Sequence, residues 1–336
     1  NTFIKKESYS GVKDPRIITT IPGQTKLKYS RFVSAFSREV MRKTKWYAFG
    51  KTPADIAARV GDIARRAKSI VGSDASRMDG RVAQPTRNVE TQAMMRAFHK
   101  EHHGEMMDLM SKQDHRSAVT PNGVWYDTGT ARLSGSSETA DFNSLDNAEM
   151  NYHGFRKMGY SPEEAWERLG IYGGDDGLTG DIDPKALEAS FAQVGQLAEI
   201  QLFLRGERGV NFLSRFYGPD VWHGDVNSTC DIPRQLSKLH TTVGLSNNVL
   251  PIDKLMAKAV NYCLTDANTP VIGRICQAVV AMVGGDKQDL RLMRDSAIKA
   301  KPELQRAFTW WSQYDLEVQW PNEVGDWAND LARMWL

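Results

Sequence analysis

The sequence contains little cysteine and no long apolar run, and each absence excludes a class of protein. Its three cysteines, Cys230, Cys263 and Cys276, are odd in number and widely spaced, so they predict neither a disulfide framework nor a cysteine zinc site. We therefore expect a reducing, intracellular setting. A membrane-spanning helix needs roughly 18 or more apolar residues in succession. The best candidate, residues 275–285, is much shorter, which excludes a membrane span by this segment.

Charge is balanced overall but divided along the chain. The net charge is +2, yet residues 1–52 contain twelve Lys or Arg and three acidic residues, whereas residues 134–188 contain twelve acidic residues and four basic ones. A site that handles polyphosphate and a divalent metal needs both cationic and carboxylate groups. The alternative is two solvated faces of opposite sign.

Helix starts are marked by capping residues followed by proline. Thr52-Pro53, Ser161-Pro162 and Asp183-Pro184 each place proline at the first helical position after a cap. The third of these helices has an apolar face at the spacing of a helix, which includes Leu187 and Phe191. Beyond Pro233 the pattern becomes almost wholly helical, with runs near 233–245, 251–264, 270–283, 286–300 and 302–316.

Short apolar runs between these helices predict strands. They are KSIVGSD ending at Asp74, LGIYGG, GLTG, EIQLFL from Glu199 and VNFLSRFY from Val210. Strands and helices alternate from about residue 68 to residue 217. This order predicts an α+β fold in which a small antiparallel sheet is backed by helices.

Three aspartates stand where a metal site could form. Asp74 ends an apolar strand, and Asp175 and Asp176 lie in a glycine-rich turn between two other strands. Carboxylates at strand ends are held rigidly, and two of them can bind a pair of Mg²⁺ ions. The alternatives are a plain hairpin turn and a helix cap. A calcium loop is disfavoured because Gly177 occupies the position of its second ligand.

The segment RLSGSSETADFNSL predicts a group that contacts a nucleotide. Thr139 and Asn143 are four residues apart and share one helix face, which begins near Ser134 and Gly135. Hydroxyl and amide groups can contact a ribose hydroxyl, and glycine permits a close approach of the backbone. The alternative is a serine-glycine cap with an incidental polar face.

A basic ribbon precedes these motifs. The first twenty-two residues predict a strand, a turn and a strand that carry Lys5, Lys6, Lys13 and Arg16. Arginine suits phosphate by its planar fork and lysine supplies a point charge, so these residues could neutralise a triphosphate. An ordinary basic surface ribbon is the alternative.

The order of these signals, a basic ribbon, D-x4-D from Asp74 to Asp79, S-G-x3-T-x3-N and G-D-D, resembles the RNA-dependent RNA polymerases of positive-strand RNA viruses. The resemblance covers essentially the whole chain. The segments most similar to the polymerases of nodaviruses and related lineages are FIKKE, VKDPRIITT, WYAFGKTP, SRMDGRV, RLSGSSET, GYSPEEAWERLGIYGGDDGLTGD and RGERGVNFLSRFYGPDVW.

The resemblance implies a role for each motif residue. Asp74 and Asp175 would be the ligands of Mg²⁺, or alternatively Mn²⁺, with Asp176 as an adjacent participant. The group that selects ribose would comprise Asp79, Ser134, Gly135, Thr139 and Asn143, and the residues that grip the triphosphate would be Lys5, Lys6, Lys13 and Arg16. VNFLSRFY would be the hairpin that supports the primer end.

One family feature is absent from the sequence. Many polymerases of this type have a lysine that is proposed to protonate pyrophosphate, but no lysine occurs between Phe191 and Val210. Arg205 or Arg208 would have to substitute for it. The very high pKa of an arginine makes it a poor proton donor, so the sequence assigns no general acid.

The resemblance also implies the architecture and the partners. It implies a right-hand polymerase with partial fingers at 1–68, a palm with an RRM-like antiparallel sheet and inserted finger helices at 69–218, and a helical thumb at 219–336. Its partners would be an RNA template, the nascent RNA, nucleoside triphosphates and the rest of a viral replicase polypeptide, with no membrane contact evident in this segment. We expect a location in the host cytoplasm, at membrane-associated replication sites reached through regions outside this chain.

Two other functions remain open. A reverse transcriptase shares a similar palm and pair of aspartates, but Asp79 and Asn143 form a plausible reader of the ribose 2′-hydroxyl. A noncatalytic RNA-binding scaffold would use the basic ribbon electrostatically. A scaffold function would assign no role to Asp74, Asp175 and Asp176.

Overall fold

A computed structural model describes residues 2–5, 12, 14–245, 247–282, 290–300 and 320–336. Its strands are β1 (Thr2–Ile4), β2 (Ile17–Thr19), β3 (Ser69–Ala75), β4 (Ser117–Val119), β5 (Trp125–Asp127), β6 (Ile171–Gly173), β7 (Asp176–Gly180), β8 (Ala198–Leu204), β9 (Val210–Phe212), β10 (Arg215–Tyr217) and β11 (Ser228–Cys230). Its helices are α1 (Gly23–Glu39), α2 (Pro53–Arg66), α3 (Gln84–Ala97), α4 (His103–Ser111), α5 (Thr139–Lys157), α6 (Pro162–Glu167), α7 (Pro184–Gln193), α8 (Ile232–Leu239), α9 (Pro251–Thr265), α10 (Ile272–Met282), α11 (Leu290–Ala300) and α12 (Asp326–Trp335).

The described residues form two compact units. The first contains residues 2–5, 14–51 and 66–205, and the second contains residues 52–65 and the described residues from 206 to 336. The predicted fingers and palm ranges therefore each contribute residues to the second unit. The division into fingers, palm and thumb stays a prediction.

The first unit is built on an antiparallel sheet of four strands in the order β6-β7-β3-β8. In this register, Asp74 on β3 lies opposite Asp176 on β7 and opposite Glu199 on β8. The predicted strands and the α+β arrangement are confirmed. The alternation of buried residues along β3 follows from the period of two in a strand, with Val71 and Ala75 buried.

Helices α5 and α7 contribute apolar side chains to the core against this sheet. Phe155 of α5 and Leu187 and Phe191 of α7 are fully buried in one cluster with Val71. The predicted caps are confirmed: Ser161 and Glu164 form a reciprocal capping box, and the Asp183 carboxylate accepts a hydrogen bond from the Ala186 amide. The sheet and α5 together therefore form a rigid base for the polar residues at the strand ends.

The second unit is mostly helical, with one small sheet. VNFLSRFY forms a hairpin of β9 and β10, in which Leu213 and Ser214 have φ of 47° and 60°. Two central residues with positive φ are the mark of a type I′ turn. Helices α8, α9 and α10 surround a core that includes Val260 and Cys276. The helical pattern predicted beyond Pro233 is confirmed for α8 to α11, and the run at 302–316 lies outside the described residues.

Several elements have no counterpart in the sequence predictions. They include the helices α1, α3, α4 and α12 and the short strands β4, β5 and β11. The short strands have three residues each, too few for a period to be visible. All three cysteines are free and buried. Among the helices in the described ranges, none combines the length and the apolar character that a membrane crossing requires.

Candidate active site

A two-residue hairpin loop carries Asp175. Gly173 of β6 pairs with Asp176 of β7, which leaves Gly174 and Asp175 as the loop. Gly174 has φ of +71°, a conformation that glycine adopts without the steric cost of a β-carbon. Positive φ at the first central position is what a type II′ hairpin turn requires. The paired glycines in the sequence therefore permit a tight reversal that presents Asp175 at its tip.

The same loop is joined to the end of β3. The Ala75 amide donates to the Asp175 carbonyl at 3.2 Å, directly after Asp74. Asp74 and Asp176 are register partners across β3 and β7, and opposed residues face the same side of a sheet. The structure thus brings together all three aspartates that the sequence singles out.

The surroundings of Asp74 and Asp175 disfavour the charged form of each carboxyl group. Partial burial raises the pKa of Asp74, and the nearby Asp175 and Glu199 carboxylates raise it further. Burial also raises the pKa of Asp175, with the Asp79 carboxylate as the main charged contributor and the Arg16 guanidinium opposing the rise. Both residues remain partly open to solvent. An accessible cluster of carboxylates with raised pKa values is an environment that a cation would stabilise.

Asp79, Ser134 and Asn143 form one hydrogen-bonded cluster. The Asn143 Nδ2 atom donates to Asp79 Oδ1 at 2.7 Å, and the Ser134 hydroxyl donates to the other carboxylate oxygen. The Arg132 amide donates to the Asp79 carbonyl at 2.8 Å. The structure therefore brings together three residues that are 55 and 64 positions apart.

Arg132 holds the cluster of Asp79, Ser134 and Asn143 in place through hydrogen bonds. No sequence pattern predicted this role for Arg132. Its Nε atom donates to Asn143 Oδ1, so the amide must turn its NH₂ group toward Asp79. Its terminal nitrogen pairs with Glu90 at 2.7 Å and with Asp146 at 2.6 Å. All three charged side chains are at most 1% exposed.

Gly135 and Thr139 both form hydrogen bonds with backbone carbonyl groups of this chain. The Gly135 amide donates to the Thr19 carbonyl at 3.0 Å, and a β-carbon at Gly135 would lie 2.3 Å from the Thr20 side chain. The Thr139 hydroxyl donates to the carbonyls of Leu133 and Ser136. The close approach that glycine permits here is thus to a neighbouring strand. The prediction that Gly135 and Thr139 contact nucleotide is untested.

The basic ribbon is described in part. β1 and β2 form the predicted antiparallel pair, and the Lys5 amide donates to the Arg16 carbonyl at 2.8 Å. Arg16 is close enough to Asp175 to affect its pKa. Lys6 and Lys13 lie outside the described residues. The ribbon therefore brings at least one cation to the carboxylate cluster.

Arg205 is engaged with the backbone. Its Nε atom donates to the Ala67 carbonyl at 3.0 Å, and its own amide donates to the Lys68 carbonyl. The Arg205 side chain thus serves a contact with the backbone, and the general acid stays unassigned.

Replacement of Asp175 by asparagine should raise the melting temperature at pH 7. The folded protein raises the pKa of Asp175, so this carboxyl stabilises the fold when protonated and loses that contribution as the pH rises through the raised pKa. Asparagine keeps the shape without the charge. Calorimetry of both proteins in chelator should give a difference at pH 7 that shrinks toward pH 3, where the wild-type carboxyl is also protonated. A less stable Asp175→Asn variant at pH 7 would contradict the raised pKa.

Comparison with solved structures defines the class of the fold. The RNA-dependent RNA polymerase of a human picorbirnavirus, in an insertion-loop deletion mutant, superposes with a TM-score of 0.63 at 13% sequence identity, over 89% of this chain and 60% of that one. The intact polymerase gives a TM-score of 0.60. The chain therefore has a fold similar to that of viral RNA-dependent RNA polymerases.

Sequence comparison finds relatives among viral polymerases. No profile of a known protein family matches the chain. The RNA-directed RNA polymerase of Striped jack nervous necrosis virus is 36% identical over 280 residues, 82% of this chain and 28% of that protein. That of Pariacoto virus is 32% identical over 290 residues, 84% of this chain and 29% of that protein. Most of this chain is therefore homologous to part of the nodavirus RNA-directed RNA polymerases, and it spans under a third of the length of these two relatives.

Proposed function

We propose that this chain carries the active site of an RNA-dependent RNA polymerase, which transfers nucleotides from triphosphates to an RNA 3′-hydroxyl during viral genome replication. The observation that carries the proposal is the placement of Asp74, at the end of β3, beside the hairpin loop that carries Asp175 and near the Asp79–Asn143 pair. The similarity to named RNA-directed RNA polymerases supports it.

Mg²⁺, with Mn²⁺ as the alternative, suits the carboxylate cluster. Asp74 and Asp175 would hold the ion, with Asp176 as the adjacent participant. Carboxylate oxygens are the donors that Mg²⁺ prefers, and Mg²⁺ commonly completes its coordination with substrate phosphates and water. Among the described residues, no group of three or more His, Cys, Asp or Glu side chains is placed to hold a metal ion. When bound, the metal would activate the attacking hydroxyl and offset charge on the phosphate oxygens.

The remaining site residues would bind and orient the nucleotide. The Asp79, Ser134 and Asn143 cluster would contact the ribose, in a region completed by Gly135 and Thr139. Lys5 and Arg16, together with Lys6 and Lys13, would attract the triphosphate, since cations near a cleft raise the local concentration of anions. The chain's own groups thus supply binding and orientation for an in-line transfer.

The proposed architecture is a right hand. The four-stranded antiparallel sheet with its packed helices would be an RRM-like palm, residues 1–68 would belong to the fingers, and the helices beyond 219 would form the thumb. RNA template, nascent RNA and nucleoside triphosphates would be the partners, with the rest of a viral replicase polypeptide. The site of action would be the host cytoplasm at replication membranes.

Replacement of Asn143 by alanine should lower the preference for ribonucleotides over deoxyribonucleotides by about 10-fold or more, because a site that loses a hydrogen-bonding group discriminates less. Single-nucleotide incorporation from rNTP and dNTP on a primed RNA template measures this ratio. The exposed Asn88 of α3 is the matched control, and Asn88→Ala should keep the wild-type ratio. An unchanged ratio in Asn143→Ala would contradict the ribose assignment.

The same assay separates the rival functions. Equal or better use of dNTP by the wild-type protein would indicate a reverse transcriptase. RNA binding that is independent of metal, with no synthesis on a primed template, would indicate a scaffold. Both outcomes would reject the proposed activity.

A further inference from the structure

Helix α5 presents a buried polar face to the Asp175 loop. Ser144, Asn147 and Asn151 follow one another at spacings of three and four residues, so they lie on one side of the helix. Each is 0% exposed. Buried polar side chains destabilise a fold unless their hydrogen bonds are made, so their partners indicate what this face does.

Ser144 and Asn147 form hydrogen bonds with the backbone of the Asp175 loop. The Ser144 hydroxyl accepts a hydrogen bond from the Gly174 amide at 2.8 Å and donates to the Ala140 carbonyl at 2.7 Å. The Asn147 Nδ2 atom donates to the carbonyls of Gly174 and Asp175 at 3.2 and 3.0 Å. Three backbone groups of the two-residue loop are therefore held by α5.

Asn151 orients the side chain of Asn147 and extends the hydrogen-bond network into β7. The Asn151 Nδ2 atom donates to Asn147 Oδ1 at 3.0 Å, which sets the orientation of the Asn147 amide. The Thr179 hydroxyl donates to Asn151 Oδ1 at 2.8 Å and lies 3.0 Å from the Tyr172 hydroxyl. Residues of both strands of the hairpin thus take part in one satisfied network.

The space around the network leaves little freedom. A β-carbon at Gly177 would lie 2.6 Å from the Ser73 hydroxyl and 3.2 Å from Asn147 Oδ1. The start of β7, directly after the loop, is therefore confined by β3 as well as by α5. Asn143, whose amide binds Asp79, directly precedes Ser144 on the same helix.

We propose that Ser144 and Asn147 are positioning residues that hold the Asp175 loop in the geometry for binding the metal, and that α5 links this loop rigidly to the Asp79–Asn143 pair. The inference rests on the proposed function. Residues that orient a metal ligand typically change metal affinity by about 10- to 100-fold when they are removed. A role in core packing alone would leave metal affinity unchanged.

Ser144→Ala in the full-length protein is the main test. Mn²⁺ binding is measured by electron paramagnetic resonance on a complex with RNA template, a primer ending in 3′-deoxyribose and a matching nucleotide. We expect Mn²⁺ to bind about 10-fold more weakly, with faster hydrogen exchange of the Gly174 amide. Ser190→Ala is the matched control, because Ser190 is also buried and donates to the Met150 carbonyl of α5 without touching the loop. It should retain wild-type Mn²⁺ affinity.

Asn147→Ala is the second variant and should weaken Mn²⁺ binding at least as much, since it removes both donors to the loop carbonyls. Wild-type Mn²⁺ affinity in either folded variant would overturn the inference. Failure of the proposed function is distinguishable, because the wild-type protein would then make no RNA on a primed template or Asp175→Asn would still synthesise RNA. An inactive Asp175→Asn together with unchanged Mn²⁺ affinity in Ser144→Ala rejects the positioning role alone.

Discussion

Alanine in place of Asp74 or Asp175 is expected to reduce nucleotide addition by about 1,000-fold or more, because each change removes a carboxylate that would hold the ion stabilising charge in the transition state. The two carboxyl groups belong to one cluster, because the backbone hydrogen bond from the Ala75 amide to the Asp175 carbonyl holds the loop beside Asp74 and the Asp175 charge affects the pKa of Asp74. RNA affinity should stay within a few-fold of wild type. Primer extension and filter binding on the same preparations measure both quantities.

Glu199→Gln is the matched control for this prediction. Glu199 lies opposite Asp74 across β3 and β8 and contributes to its raised pKa, yet it is not among the predicted metal ligands. Its replacement should leave nucleotide addition within a few-fold of wild type. Sustained RNA synthesis by Asp74→Ala or Asp175→Ala would refute the metal assignment.

Methionine in place of Arg132 is expected to lower the free energy of unfolding by about 3 to 5 kcal/mol, because it removes the cation that pairs with the buried Asp146 carboxylate and one of the two arginines that pair with the buried Glu90 carboxylate, the other being Arg87. Urea denaturation, followed by circular dichroism, measures the change. The same substitution also frees the Asn143 amide from the bond that orients it. The variant should therefore lose ribose discrimination under conditions in which it is still folded.

Arg31→Met provides the comparison, because Arg31 pairs with Glu105 on the surface, where both side chains are solvated. It should change the unfolding free energy little. A decrease of less than about 1 kcal/mol in the free energy of unfolding of Arg132→Met would contradict the view that this arginine is the central cation of a buried network.

The parts of the site that local sequence predicts are those fixed by neighbouring residues. Asp74 lies near the end of a short apolar strand, and the paired glycines before Asp175 mark a tight turn, so both positions could be inferred without tertiary contacts. That the two strands lie side by side follows from the antiparallel sheet. The Asp79–Asn143 contact crosses 64 positions, and only the resemblance to a polymerase family suggested it.

The residues that support the site could not be inferred in this way. The stretch from Thr139 to Asn151 is rich in polar residues, which normally predicts a solvated helix face. The structure buries Ser144, Asn147 and Asn151 because the hairpin of β6 and β7 supplies hydrogen-bond partners for them. Arg132 is buried because Glu90, Asp146 and Asn143 supply its partners. Long-range partners of this kind leave no periodic pattern in the sequence.

The short strands, and the inclusion of α2 in the second unit, also depend on contacts between residues that are far apart in the sequence. β11 exists because it pairs with β10, and three residues alone carry no strand pattern. Gly61 of α2 lies close to the backbone of Gly224, although 163 positions separate them in the printed sequence. Such contacts decide which elements form a unit, and composition does not encode them.

Single-nucleotide extension of an RNA primer tests the central claim most directly, that Asp74 and Asp175 form a template-directed polymerase site. The full-length protein is given Mg²⁺ and four RNA templates that differ only in the first unpaired base. The incorporated nucleotide should follow Watson–Crick pairing on every template, and chelator or Asp175→Asn should abolish incorporation. Extension that ignores the template base, or that persists in Asp175→Asn, would contradict the account.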